Sequence, residues 1–159
     1  MNPPKSIIAV CTLLFSALPA WSQAQKTTDS FTPQDGDTIV FLGDSITAGW
    51  RGNGKEVWEK SFAAYKTANF GIGGDRTQHV LWRITNGELD GIKPKVVVLM
   101  IGTNNSGSDP ADGIAKGITK IVETIRAKLP DTKILLLAVF PRGEKANPQR
   151  EKLKEVNAT

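Results

Sequence analysis

Ser45, in the run Gly43-Asp44-Ser45-Ile46-Thr47, carries a hydroxyl that could act as a nucleophile, and two other short runs carry groups that could hold the charge its attack would create. Asn69-Phe70-Gly71-Ile72-Gly73-Gly74-Asp75 offers Gly74, whose backbone N–H can meet a ligand with no Cβ in the way. Gly102-Thr103-Asn104-Asn105 offers the side-chain amide of Asn104. Placed at a helix N-terminus, Ser45 would add its own N–H and a dipole that favours negative charge. A hydroxyl and donors from three segments that converge on one carbonyl form a nucleophile beside an oxyanion hole, which is the equipment of acyl transfer. Each run by itself is ordinary loop composition. What sets them apart is that each follows an apolar run.

The apolar runs are 38–42, 66–70, 95–101 and 133–139, and they alternate with longer segments of helical character. That alternation predicts an α/β domain with a mostly parallel sheet. The first, third and fourth runs are nearly continuous in Val, Ile and Leu, as in strands covered on both faces. In a parallel sheet the loops after the strands share one rim, where ligands bind. Helices are predicted over 56–65, from Asp75 with Val80, Leu81 and Ile84 inward to Asn86-Gly87, and from Asp109 as N-cap with Pro110 in the first turn. The last of these carries Ile114, Ile118, Ile121, Val122, Ile125 and Leu129 at helical spacing and stops before Pro130. A further helix starts at Asn147-Pro148 with Leu153 and Val156 on one side. In a flavodoxin-like order the fourth strand lies inside, beside a fifth, and no fifth is present in the sequence. Residues 134–140 are therefore expected to form a bare apolar edge, the mark of a truncated sheet.

With 159 residues, 40% hydrophobic and 23% charged, the chain has the make-up of one globular domain. Lys5, the apolar stretch 7–18 and Ser22-Gln23-Ala24 read as a secretory signal peptide and not a membrane span. A cut after Ala24 leaves a domain over 25–159, secreted or periplasmic, with no transmembrane anchor. A net charge of +4 before the cut gives little reason to expect nucleic acid as a partner. Cys11, the sole cysteine, would leave with the leader, which removes disulfides, thiol nucleophiles and Cys-based metal sites. The single histidine and scattered acids show no metal-ligand spacing. Nucleotide motifs fail on inspection. Arg76 stands where a dinucleotide fingerprint needs its third glycine, and Glu56 where a P-loop needs Ser or Thr. The Ser45 run also lacks the G-x-S-x-G form of an α/β-hydrolase elbow.

The three loop runs resemble the blocks of the SGNH hydrolases, also called the GDSL esterase and lipase family: the Ser45 run the first, Asn69, Gly71 and Gly74 the second, Gly102 to Asn104 the third. The stretch 69–105 and Pro141-Arg142-Gly143-Glu144-Lys145 are especially similar to the platelet-activating-factor acetylhydrolase beta/gamma-subunit branch. The resemblance implies a three-layer α/β/α flavodoxin-like fold and a serine ester hydrolase that needs no cofactor. In that reading Ser45 is the nucleophile, and the N–H groups of Ser45 and Gly74 with the amide of Asn104 hold the oxyanion. Short acyl groups, often acetyl, on a small-molecule or carbohydrate ester are the implied substrates. The resemblance also implies a base, the His of a C-terminal Asp-x-x-His block, and that block is absent from this sequence. His79, five residues past Gly74, is expected to be structural. The absent fifth strand and base point to one absent segment, so this chain is expected to be a poorly active fragment. The alternative is a non-catalytic or vestigial member that binds acylated carbohydrate. Elsewhere, Asp44 is expected to order its loop, Asp75 and Arg76 to pair or cap a helix, and Trp50, Trp58 and Trp82 to line core or pocket. The basic cluster 142–154 reads as a solvated helix face.

Overall fold

The computed structural model describes residues 39–159, so the predicted leader and its cleavage site lie outside the described residues. The four apolar runs become parallel strands: β1 (Ile39–Gly43), β2 (Thr67–Gly71), β3 (Val96–Met100) and β4 (Lys133–Leu136), in the order β2-β1-β3-β4. The register sets Gly43 opposite both Gly71 and Met100, so the loops after the first three strands leave the sheet side by side. β2 starts one residue later than expected because Lys66 takes a left-handed φ of 49°. β4 stops three residues early. Beyond it, Val139 exchanges its backbone bonds with the side chain of Asn157, at 2.8 and 2.9 Å, and not with another strand.

Among the described residues the strands are joined by α1 (Ser45–Ala48), α2 (Lys55–Phe62), α3 (Thr77–Thr85) and α4 (Ala111–Lys128), and α5 (Pro148–Ala158) follows β4. The stripe on α4 turns inward as its spacing requires, and Ile114, Ile121 and Ile125 are fully buried. With Val80 and Ile84 of α3 and Leu153 and Val156 of α5, they close over Val40, Leu42, Val97 and Leu99. The pleat sends Phe41 to the other face. There its ring meets Trp58 and Phe62 of α2 edge-on, at centroid distances of 4.8 and 5.2 Å, and Trp50 joins the cluster. The layers are therefore α/β/α, with α3, α4 and α5 on one face and α1 and α2 on the other. Trp50 and Trp58 belong to this cluster, Trp50 also walls a pocket, as expected, and Trp82 is half-buried.

Two helix starts differ from the sequence reading. α3 begins at Thr77, because the Asp75 carboxylate is drawn to Arg83 and does not cap. α4 begins after Pro110, which is extended at the N-cap, while the Asp109 carboxylate bonds back to Asn105 and Ser108. α5 starts as expected, with Asn147 accepting the Arg150 N–H at 2.9 Å and Pro148 in the first turn.

The second face is not covered along its length. β4 is the sheet edge, and Leu135, Leu136 and Phe140 are 52%, 49% and 55% exposed. Leu135 and Phe140 border an open apolar trough of about 640 Å³ that runs past Phe41, Val98 and Met100 to Ile46. The bare edge expected of 134–140 is present at Leu135, Leu136 and Phe140, whereas Ile134 packs against the core and Val139 is buried. The cover on both faces expected of the fourth run is not, since a continuous apolar run marks a strand and says nothing of which layer reaches it. No helix among the described residues is long and apolar enough to cross a membrane.

Candidate active site

Ser45 is the first residue of α1 and is exposed; Asp44 before it is buried. The Asp44 carboxylate accepts the Ile46 N–H at 2.9 Å, so it orders the turn as expected. Burial pushes this carboxyl above its usual range and the charge of Asp75 adds to the shift, while the Ile46 N–H and Arg142 oppose it. The turn is pressed onto the strand ends. A Cβ at Gly71 would lie 2.3 Å from the Ala48 nitrogen, and one at Gly43 would lie 2.6 Å from the Met100 carbonyl. Asn69 stitches the two together. Its amide donates to the Thr47 carbonyl at 2.7 Å, and its side-chain oxygen accepts the Gly71 N–H at 2.9 Å.

The loop after β2 is tied to the first by the Ile72 N–H, which donates to the Gly43 carbonyl at 3.1 Å. Gly74 is exposed with φ +81°, a conformation that favours glycine. Asn104 lies in a tight helical turn after β3, and its amide donates to the Asp75 carbonyl at 2.8 Å. Ser45, Gly74 and Asn104 thus sit in three adjacent loops, each bonded to the next. The neighbouring Asn105, buried, accepts the Thr77 N–H at 3.0 Å and so locks the third loop to the start of α3.

Behind these loops lies a buried ion cluster. Arg83 donates to Asp75 through Nε at 3.1 Å and Nη2 at 2.8 Å, to the Phe70 carbonyl at 3.3 Å, and to Glu88. Burial pushes the Asp75 carboxyl up and the Arg83 guanidinium down, and each opposes the shift of the other. The sequence reading passed over Arg83. Its signal was an arginine on the same inward stripe as Val80 and Ile84. Asp75 pairs with Arg83 and not with Arg76, whose Nη1 reaches Ser108 at 3.1 Å. His79 accepts the Arg76 N–H at 3.2 Å and lies 3.7 Å from Asp75 Oδ1, which is a structural setting. The basic cluster is not merely solvated. Arg142 donates to the Thr103 carbonyl at 3.2 Å and Lys152 to that of Ser106 at 2.9 Å, so both brace the third loop.

The sequence model of the GDSL-like Lipase/Acylhydrolase family matches residues 41–159. The chain belongs to this family. Ester-bond hydrolysis is the chemistry of the GDSL-like acylhydrolases, and the loops described above carry this member's candidate groups for it. The chain is 47% identical over 119 residues to the Homo sapiens protein named Platelet-activating factor acetylhydrolase IB subunit alpha2, a match that covers 75% of this chain and 51% of that one. It spans about half the length of the curated relatives it matches. Among solved structures it resembles a member of the lipolytic G-D-S-L family from Veillonella parvula, with a TM-score of 0.65 at 22% identity over 76% of this chain and 68% of that one. A GDSL-like lipase from Bacteroides thetaiotaomicron superposes with a TM-score of 0.66 at 21% identity, over 87% and 70% of the two chains. These structures share the GDSL fold with this chain.

Proposed function

We propose that this protein hydrolyses short acyl esters, acetyl esters above all, through an acyl-serine at Ser45. Ser45 Oγ attacks the acyl carbonyl and gives up its proton to a base. The N–H groups of Ser45 and Gly74 and the amide of Asn104 receive the oxyanion, the alcohol leaves with a proton, and water releases the acid. The observation that carries this reading is the bond from Asn104 to the Asp75 carbonyl, which holds a side-chain amide beside the exposed, positive-φ Gly74. One amide hydrogen of Asn104 is spent on that bond, and the –NH2 has a second to offer. The acetyl preference draws on the acetylhydrolase names of the relatives.

Residues 39–159 supply the nucleophile and the oxyanion donors, and the base comes from an Asp-x-x-His segment outside them. His79 is engaged by Arg76 and faces Asp75, which supports assigning it no part as base. The open trough beside β4 fits a layer that residues 39–159 do not supply. Lys5, the apolar stretch 7–18 and Ser22-Gln23-Ala24 support export, so the substrate is an ester outside the cytoplasm, on a small molecule or a decorated carbohydrate.

Hydrolysis of p-nitrophenyl acetate tests both parts. This chain is expected to match its Ser45→Ala variant, and a longer form that carries Asp-x-x-His is expected to turn over in a Ser45-dependent way. Ser45-dependent turnover by the 159-residue chain would overturn the assignment of the base. A longer form without such turnover, with an acylated sugar bound intact, would overturn the hydrolase reading in favour of a binding protein.

A further inference from the structure

Arg83 is an unusual side chain to find in this core. It is 2% exposed, nearly as buried as Val80 and Ile84 of its own helix, and it gives its hydrogen bonds to Asp75, the Phe70 carbonyl and Glu88. Those partners bracket one loop. The Phe70 carbonyl lies just before Gly71-Ile72-Gly73-Gly74, and the Asp75 carboxylate lies just after it. Glu88, in the turn that follows α3, holds the guanidinium from the far side. Asp75 in turn presents its carbonyl to the amide of Asn104 at 2.8 Å. One residue therefore carries the guanidinium clamp on its side chain and the Asn104 contact on its main chain, and it follows directly on Gly74.

We propose that Arg83 is a positioning residue of the site, fixing the Gly74 N–H and the Asn104 amide as one donor pair through its two bonds to Asp75. The inference rests on the reading of Gly74 and Asn104 as oxyanion donors. Nε and Nη2 of the planar guanidinium converge on one oxygen, Asp75 Oδ2, and pin that atom from two fixed directions, a geometry that a lysine ammonium does not reproduce. The clamp has an electrostatic side as well. Asp44 and Asp75 are two buried carboxylates flanking the place where a negative oxygen would form, and Asp44 feels the charge of Asp75. The guanidinium offsets that charge without touching the reacting atoms.

Two variants separate this role from a merely structural one. Arg83→Lys removes the fork, while Glu88→Gln loosens the same buried cluster on the side away from the loop. Both are expected to lower the melting midpoint. In Arg83→Lys alone, the 1H–15N signals of the Gly74 amide and the Asn104 side chain move, and, in the longer form that carries Asp-x-x-His, the rate of Ser45 labelling by a fluorophosphonate, read as intact mass, falls about tenfold or more. Should Arg83→Lys fail to fold, Asp75→Asn, which keeps an oxygen for the guanidinium but not the charge, gives the same changes at smaller amplitude. Unmoved Gly74 and Asn104 signals in Arg83→Lys would overturn the proposal. So would a labelling loss that simply follows the melting midpoint across both variants. Labelling of the longer form no faster than its Ser45→Ala variant would count against the acylhydrolase reading, and the amide signals would still decide whether Arg83 holds the pair.

Discussion

Val40 and Leu42 of β1 are 0% and 1% exposed, while Phe41 between them is only half-buried against an aromatic cluster at one side of an open trough. The same contrast runs across the sheet. One face is sealed by α3, α4 and α5, and the other is covered by α1 and α2 near β1 and bare near β4. The sealed face carries the stability and holds the loops after β2 and β3 from behind. The open face holds the nucleophile turn through a few close backbone contacts, so its energetics are those of fit and not of bulk burial.

The largest expected difference tests that division directly. Ile121→Ala, on the sealed face, should cost about 2–5 kcal/mol in a urea titration, because it leaves a cavity among fully buried neighbours. Leu135→Ala, on the open face, should cost less than about 1 kcal/mol, since the side chain is already half in water. Equal costs would break the comparison.

On the open side the tight place is the contact of α1 with β2. Gly71→Ala would drive a methyl against the Ala48 nitrogen and should cost roughly 1–3 kcal/mol, whereas Gly49→Ala, with open space at its Cβ, should be close to neutral. Thermal midpoints of the two variants would check this.

A smaller effect is expected from the buried acid between the two faces. Burial raises the Asp44 carboxyl above its ordinary value of 3.8, so its contribution to stability is fully present below that pH and is lost as pH rises through the raised value. Asp44→Asn, which can still accept the Ile46 N–H, should therefore be more stable than the unmodified chain at pH 7 and equal to it near pH 3. A midpoint difference that grows toward acid would reverse the sign. The smallest change in stability belongs to Leu135→Lys, within about 0.5 kcal/mol, with self-association by light scattering reduced because a charge now blunts the exposed edge.

Much of this was legible in the residues. Strands and helices came from period and composition: the α4 stripe, the Asn147-Pro148 start of α5 and the exposed Leu135 and Leu136 of the edge strand lie where their patterns put them. Misplaced were the starts that depended on a competing partner. Asp75 could cap a helix by type, and only the folded chain brings Arg83 to it, eight residues on. Asp109 could cap by type, and Asn105 and Ser108 take it instead. Cations 142–154 looked solvated because charge alone cannot say whether a carbonyl of another loop is within reach.

The sequence by itself determined the element order, the inward stripe of each long helix and the place of Ser45, Gly74 and Asn104 in the loops after the first three strands, because local spacing and residue chemistry are written along the chain. Only the tertiary structure decided that Gly43 lies between Gly71 and Met100, that Asn104 reaches Asp75, and that Arg83 stands buried behind both. Those facts depend on strand order and on contacts among residues far apart in the chain. Loop-closure entropy and burial settle such contacts together, and no local pattern encodes them.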